Sequence, residues 1–259
     1  MRIHVVSDVH ARTDALARAG DGADALICLG DLVLFLDYED FDQGIFPALF
    51  GSERTRRFVE LRTAGRFDEA RTLTAGWWDE AMERHGRDRH TLVQDLVDTQ
   101  YAEMFAAMPE PAYLTYGNVD LPALWRRHLR PGHTVLDGEV AEIGGLRFGF
   151  VGGGLVSPMR TPYEVTEAEY AAKVEALGDV DVLCAHIPPA VPELCYDVVA
   201  RRFEVGSRAI LEHVRRTQPR MVLFGHVHQP LVRRARIGRT ECVNVGHFRA
   251  GRTPFSLRW

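Results

Sequence analysis

The chain has 259 residues, 46% of them hydrophobic, and a formal net charge of -5. That apolar content can bury a substantial core, as one domain with an insertion or as two small ones. The acid excess supplies no basic track for a long nucleic acid, and no apolar stretch approaches the ~20 residues that a membrane helix needs.

From the amino terminus, Met1-Arg2 leads straight into a strand pattern, so no signal peptide is expected. Strand-like apolar runs follow at 3–6, 25–29, 112–116, 147–151, 181–185, 221–224, 231–237 and 242–245, with helical patterns at 13–19, 122–129, 167–177 and 207–217. The early alternation of strand and helix predicts α/β units. The stretch from Leu231 to Val245, turning at Gly238, predicts an antiparallel hairpin. Residues 36–109 differ, being rich in helix formers and charge. Val93, Val97, Tyr101, Met104 and Met108 mark one helical face there, and Leu73, Trp77 and Ala81 another. We expect a single domain, 1–259, with 36–109 as a helical insertion. It leaves after Asp31 and returns before Asn118, which suits a cap over a substrate and equally a homodimer contact anchored by Trp77 and Trp78. Cys28 and Cys184 lie in apolar runs, and Cys195 and Cys242 have no paired spacing. Four reduced thiols fit a cytoplasmic protein without disulfides or a zinc ribbon.

Chemistry-bearing residues collect where the apolar runs stop: Asp8-Val9-His10, Gly30-Asp31, Gly117-Asn118-Val119-Asp120, Ala185-His186 and Gly225-His226-Val227-His228. Side chains at i and i+2 project to the same side of a strand, so Asp8 and His10 can grip one ion. His226 and His228 share that spacing, and just past a strand end they either share an ion or fan out to two. Singly, each motif also reads as a strand-end turn, a helix cap or a hydrogen-bonded histidine. Together they form a set of carboxylate, amide and imidazole that suits Mn, Fe, Zn or Co and differs from a cysteine-rich structural zinc site. Seven ligands exceed the needs of one tetrahedral ion. Two divalent or mixed-valence ions roughly 3.5–4 Å apart would use them, and the positive pocket would draw in a phosphate ester.

With Leu29-Gly30-Asp31, Tyr116-Gly117-Asn118-Val119-Asp120, Ala185-His186-Ile187-Pro188-Pro189 and Phe224-Gly225-His226-Val227-His228 beside Asp8-Val9-His10, the chain resembles the calcineurin-like metallophosphoesterases. The resemblance implies two packed mixed β-sheets flanked by helices, a four-layer sandwich, with the ligands on loops at one edge. It implies a first metal held by Asp8, His10 and His228, and Asp31 bridging to a second held by Asn118, His186 and His226. The implied activity is hydrolysis of a small phosphodiester or nucleotide-like ester by attack of a metal-bridging hydroxide. A phosphomonoesterase or nucleotide pyrophosphatase, and a non-catalytic or regulatory metal-binding module, are the alternatives.

One position departs from the pattern. The family commonly has a histidine after the asparagine, credited with protonating the leaving oxygen, and this chain has Val119. Either the acid comes from elsewhere, with Asp120 and His247 as candidates, or the enzyme favours good leaving groups, or catalysis is vestigial. Asp120 reads equally as a turn or cap carboxylate before Pro122 and as a support behind the site residues. Asn118 and Arg12 are candidate substrate contacts, Arg12 through its forked donors, although an arginine at a helix start is commonly just solvated. Gly152-Gly153-Gly154 reads as a glycine-rich strand end that permits close approach to the metal site.

Overall fold

The computed structural model describes all 259 residues. They form two compact units, one made of Met1–Leu32 with Met104–Trp259, the other of Val33–Glu103.

The first unit is built on two sheets. In the five-stranded sheet the order is Phe255–Arg258, Arg2–Val6, Ala25–Cys28, Ala112–Leu114, His133–Val135, parallel except for the antiparallel first strand. The six-stranded sheet runs Arg234–Ile237, Thr240–Asn244, Met221–Phe224, Val182–Ala185, Leu146–Val151, Glu139–Ile143. Its four central strands are parallel and its two edges antiparallel. Strand alternation explains the layering. Val182 and Cys184 point into an inter-sheet core with Ile3, Val5, Ile27, Phe148 and Phe150. Leu183 and Ala185, one residue out of phase, pack with Tyr170, Val174, Ile210 and Val214 of the helices Glu167–Ala176 and Arg208–Thr217. Both helices begin within one residue of the predicted start, where Thr166 and Ser207 cap them through their hydroxyls.

Several elements differ from expectation. The helices predicted at 13–19 and 122–129 are single turns, Thr13–Leu16 and Pro122–Trp125. In the second case the buried pair Leu124 and Trp125 gives way to exposed Arg126 and Arg127. The strands His133–Val135, Glu139–Ile143 and Phe255–Arg258 escaped the sequence pattern. All three are sheet edges with exposed or half-exposed positions, where no long apolar run is required. The hairpin at Gly238 is present, with Ile237 paired to Thr240.

The second unit is helical, with helices Ile45–Phe50, Ser52–Thr63, Phe67–His85 and most of Arg89–Ala107. Its aromatic centre joins Phe46 stacked on Phe58 at 4.3 Å and Phe50 edge-on to Trp78 at 4.7 Å. The buried face of Phe67–His85 is Ala70, Thr74, Trp78 and Ala81. Of the predicted stripe, Ala81 is buried, while the positions of Leu73 and Trp77 are taken by their neighbours Thr74 and Trp78. Leu73 is exposed, and Trp77 is half-buried beneath the Arg54 guanidinium. Tandem tryptophans leave the sequence pattern ambiguous; Phe50 meets both, Trp78 at 4.7 Å and Trp77 at 6.0 Å, and Trp78 is the one that is buried. Of the other predicted face, Val97, Tyr101, Met104 and Met108 are buried and Val93 is half-buried. No helix is long and apolar enough to cross a membrane.

Candidate metal centre

The candidate residues lie on loops that leave the carboxyl ends of parallel strands in both sheets, the position where open α/β sheets bind ligands. Backbone hydrogen bonds stitch these loops together. Gly225 donates to His186 O at 3.0 Å, Gly153 to Tyr116 O at 2.8 Å, and Phe248 to Ser7 O at 3.0 Å.

On one side, Asn118 Oδ1 lies 2.8 Å from His186 Nε2 and 2.9 Å from His226 Nδ1, and Asp31 Oδ2 is 3.4 Å from His186 Nε2. Four ligand-type atoms from four loops converge there. The other ring nitrogen of His186, Nδ1, is 2.9 Å from Leu29 O and donates to it. That bond fixes the ring orientation and leaves Nε2 aimed at the cluster. Burial opposes charge on His186, but Asp31 and Asp8 outweigh it and push its pKa up to about 9 without a metal. His226 is pushed down by burial and by the charge of His186.

On the other side, Asp8 Oδ1 is 3.4 Å from His228 Nε2, and Asp31 Oδ2 is 3.9 Å from His10 Nε2. Ligand atoms of Asp8, His10 and Asp31 all fall within 4.8 Å of one another. Asp31 therefore belongs to both groups. Burial alone would raise both carboxyls, yet the surrounding histidines hold Asp8 well below the usual range and Asp31 below it. The second oxygen of each is committed to the main chain: Asp8 Oδ2 accepts from His226 N at 2.9 Å, and Asp31 Oδ1 from Val119 N at 3.0 Å.

The backbone is strained where these side chains converge. Asp8, His10, Asp31 and His226 have φ of 56°, 41°, 56° and 66°. Such left-handed conformations are uncommon outside glycine and persist where surrounding structure enforces them, often at functional sites. Close packing shows the same constraint. A Cβ on Gly117 would overlap the Asp31 carboxylate, and one on Gly225 would overlap Ser7 Oγ and Asp8 Oδ2. Gly154 is packed against Asn118 Cβ, in keeping with the close approach expected of the three glycines.

The remaining candidates fare differently. Asp120 is fully buried, and its oxygens accept from the amides of Asp31 and Gly117, both at 2.8 Å, and of Leu32 at 3.0 Å. These contacts fit the supporting reading of Asp120, and the cap position falls to Leu121, the N-cap residue of the following helix. Burial and the charge of Asp31 raise its carboxyl pKa. His247 stacks on His228 at 3.8 Å and lies 5.8 Å from His10. Burial, with His228 and His10 nearby, pushes its pKa down to about 3. As a neutral imidazole it could join His10 and His228 around an ion. Arg12 is half-buried at the N-cap of Thr13–Leu16, its Nε buried without a hydrogen-bond partner. Val119 is half-buried and contributes its amide.

Sequence reasoning missed a supporting shell. Asn118 Nδ2 donates to Thr161 Oγ1 at 3.1 Å, and Thr161 Oγ1 donates to Glu164 Oε1 at 2.8 Å, which orients the Asn118 oxygen toward the histidines. Arg249, buried, donates to His10 O at 2.8 Å. No local motif marks these residues, which sit 43 and 239 positions from their partners.

The donor types, their convergence in two groups and the carboxylate common to both fit a pair of divalent ions. Comparison with known proteins agrees. The family model for calcineurin-like phosphoesterase matches residues 63–230, a span that includes Asn118, His186, His226 and His228. No curated protein matches the chain. Among solved structures it is similar to TT1561 of Thermus thermophilus, with 14% identity, 99% of this chain and 98% of that chain covered, and a TM-score of 0.55, a likeness of fold. With the matched family model spanning most of its length, the chain belongs to the calcineurin-like phosphoesterases.

Proposed function

We propose that the protein is a dinuclear metal-dependent hydrolase of a small phosphodiester or nucleotide-like phosphate ester. Asp8, His10 and His228 would hold one ion, and Asn118, His186 and His226 the other. The observation that carries this is the position of Asp31 Oδ2, 3.9 Å from His10 Nε2 and 3.4 Å from His186 Nε2, where one carboxylate can serve both groups. Bound divalent ions, with Mn, Fe, Zn and Co all suited to the donors, would supply a water deprotonated near neutral pH and neutralise charge on the phosphoryl oxygens.

The chain's own residues do the positioning. Leu29 O orients His186, Val119 N holds Asp31 Oδ1, and Thr161 turns the Asn118 amide. Valine at 119 offers no proton to a leaving group, so esters whose leaving groups depart as stable anions should react best. Asn118 and Arg12 are the proposed substrate contacts. Four free, buried cysteines accord with the cytoplasm as the working compartment.

The test is turnover of an activated aryl phosphodiester with added manganese, abolished by a chelator and by Asp31→Asn. A protein that binds two ions and turns over no phosphate ester would instead be a metal-binding module. For the helical unit we propose either substrate selection or pairing of two copies. Removing the helical unit, Val33–Glu103, would change the ranking of substrates in the first case and the oligomeric mass in the second.

A further inference from the structure

A cavity of about 660 Å³ adjoins the candidate metal centre, with His228 and His247 in its wall. It is bounded by the strand Thr240–Asn244, the start of its hairpin partner and the segment leading into Phe255. Its size falls within the range of small-molecule sites. Its charge is unusual for a chain with net charge -5. The lining includes Arg233 and Arg234 and no aspartate or glutamate. Arg234 is already engaged, 3.0 Å from Glu241 Oε1 and 5.8 Å above the Phe255 ring. Arg233 is exposed, and its guanidinium has no ion-pair partner.

We propose that this cavity receives the part of the substrate beyond the reacting phosphoryl group, and that this part carries a second phosphate, bound by Arg233. The forked donors of a guanidinium match two phosphate oxygens. With no carboxylate in the wall, nothing in the cavity competes for that arginine. Phe255, beneath Arg234, offers an apolar surface for the linker between the two phosphates. The substrate class is then a bisphosphorylated small molecule, one phosphate at the metals and one at Arg233. This rests on the proposed phosphoesterase site only for the first phosphate.

The test uses two phosphonates whose C–P bonds resist hydrolysis, so binding is read whether or not the protein is an enzyme. Methylphosphonate and propane-1,3-diphosphonate are titrated calorimetrically into manganese-loaded protein, wild type and Arg233→Gln. The expected result is a diphosphonate affinity at least tenfold above that of methylphosphonate in the wild type, as for one added charge-assisted contact. That ratio should fall below about threefold in Arg233→Gln. Arg233→Lys should keep an intermediate ratio. Arg236→Gln, on the same hairpin but outside the cavity lining, should keep the wild-type ratio, which separates a site from general surface charge. Equal affinities in the wild type, or a ratio that Arg233→Gln leaves unchanged, would overturn the proposal. If methylphosphonate fails to bind while the diphosphonate still binds and depends on Arg233, the metal-site reading fails and the cavity stands.

Discussion

Asp120 meets Asp31 through the main chain: an Asp120 carboxylate oxygen accepts the Asp31 amide at 2.8 Å, and the same oxygen accepts the amide of Gly117. Two loops separated by the whole helical unit are thereby held to one buried carboxylate. Replacing Asp120 by Asn turns one acceptor into a donor facing N–H groups, and a buried donor left unsatisfied costs about 1–3 kcal/mol. We expect Asp120→Asn to lose about 2 kcal/mol in denaturant unfolding and roughly tenfold or more in manganese affinity. Unchanged unfolding would show that the two loops hold together without this carboxylate.

The Asn118–Thr161 hydrogen bond gives a finer prediction. Thr161→Val removes the acceptor that orients the Asn118 amide and allows its nitrogen to turn toward His186. The ion next to Asn118 should weaken about 10–100-fold while the other is retained, as is usual when the support of a ligand is lost. Thr161→Ser should restore it. A two-site manganese titration reads this directly, and equal weakening of both ions would count against a local orienting role.

Protons should leave when metal binds. Asp31 and Asp8 hold His186 charged up to about pH 9, and a metal needs its Nε2 unprotonated. Manganese binding at pH 7 should therefore release protons, seen as binding heats that differ between buffers of different ionisation enthalpy, and affinity should rise with pH and level off near pH 9. The same shift gives a sign for stability. Because the folded-state value lies above the ordinary histidine value of 6.5, the contribution to the metal-free protein is fully present below pH 6.5 and lost as pH rises through about 9. Chelator-treated protein should lose thermal stability across that interval, and His186→Gln should remove that part of the dependence.

Under the proposed activity, position 119 should separate leaving groups by their basicity. A histidine there would have a half-buried location beside Asn118, with its backbone amide still on Asp31 Oδ1. Val119→His should raise the rate on an alkyl phosphodiester at least about tenfold, with little change on an aryl one, because general acids contribute roughly 10²–10⁴ where the leaving oxygen is basic. An equal gain on both substrates would mean that protonation is not what the chain lacks.

Much of the site is legible in the sequence, for a physical reason. A ligand just past a strand end needs a polar residue after an apolar run and often a glycine for close approach, and all of these are local in sequence. Gly117 and Gly225 are glycines because Asp31, Ser7 and Asp8 occupy the space of a side chain. Residues whose role is to hold others are not legible. Thr161, Glu164 and Arg249 act across the fold, and their neighbours in sequence say nothing about their partners in space. Asp120 is visible as a carboxylate with a supporting role among its readings, but its three amide partners are not, because they meet it only once the loops are folded together.

By itself, the order of apolar runs and polar endings determined the family resemblance, the α/β character and the candidate ligands, since periodicity and strand-end chemistry are properties of neighbouring residues. Tertiary structure decided the rest. It brought Asp31 between His10 and His186, stacked His247 on His228, chose Trp78 over Trp77 for the helical core, and left Arg233 without an ion-pair partner in a cavity free of carboxylates. Those outcomes depend on distances between segments far apart in the chain, and only the packing of the folded elements sets such distances.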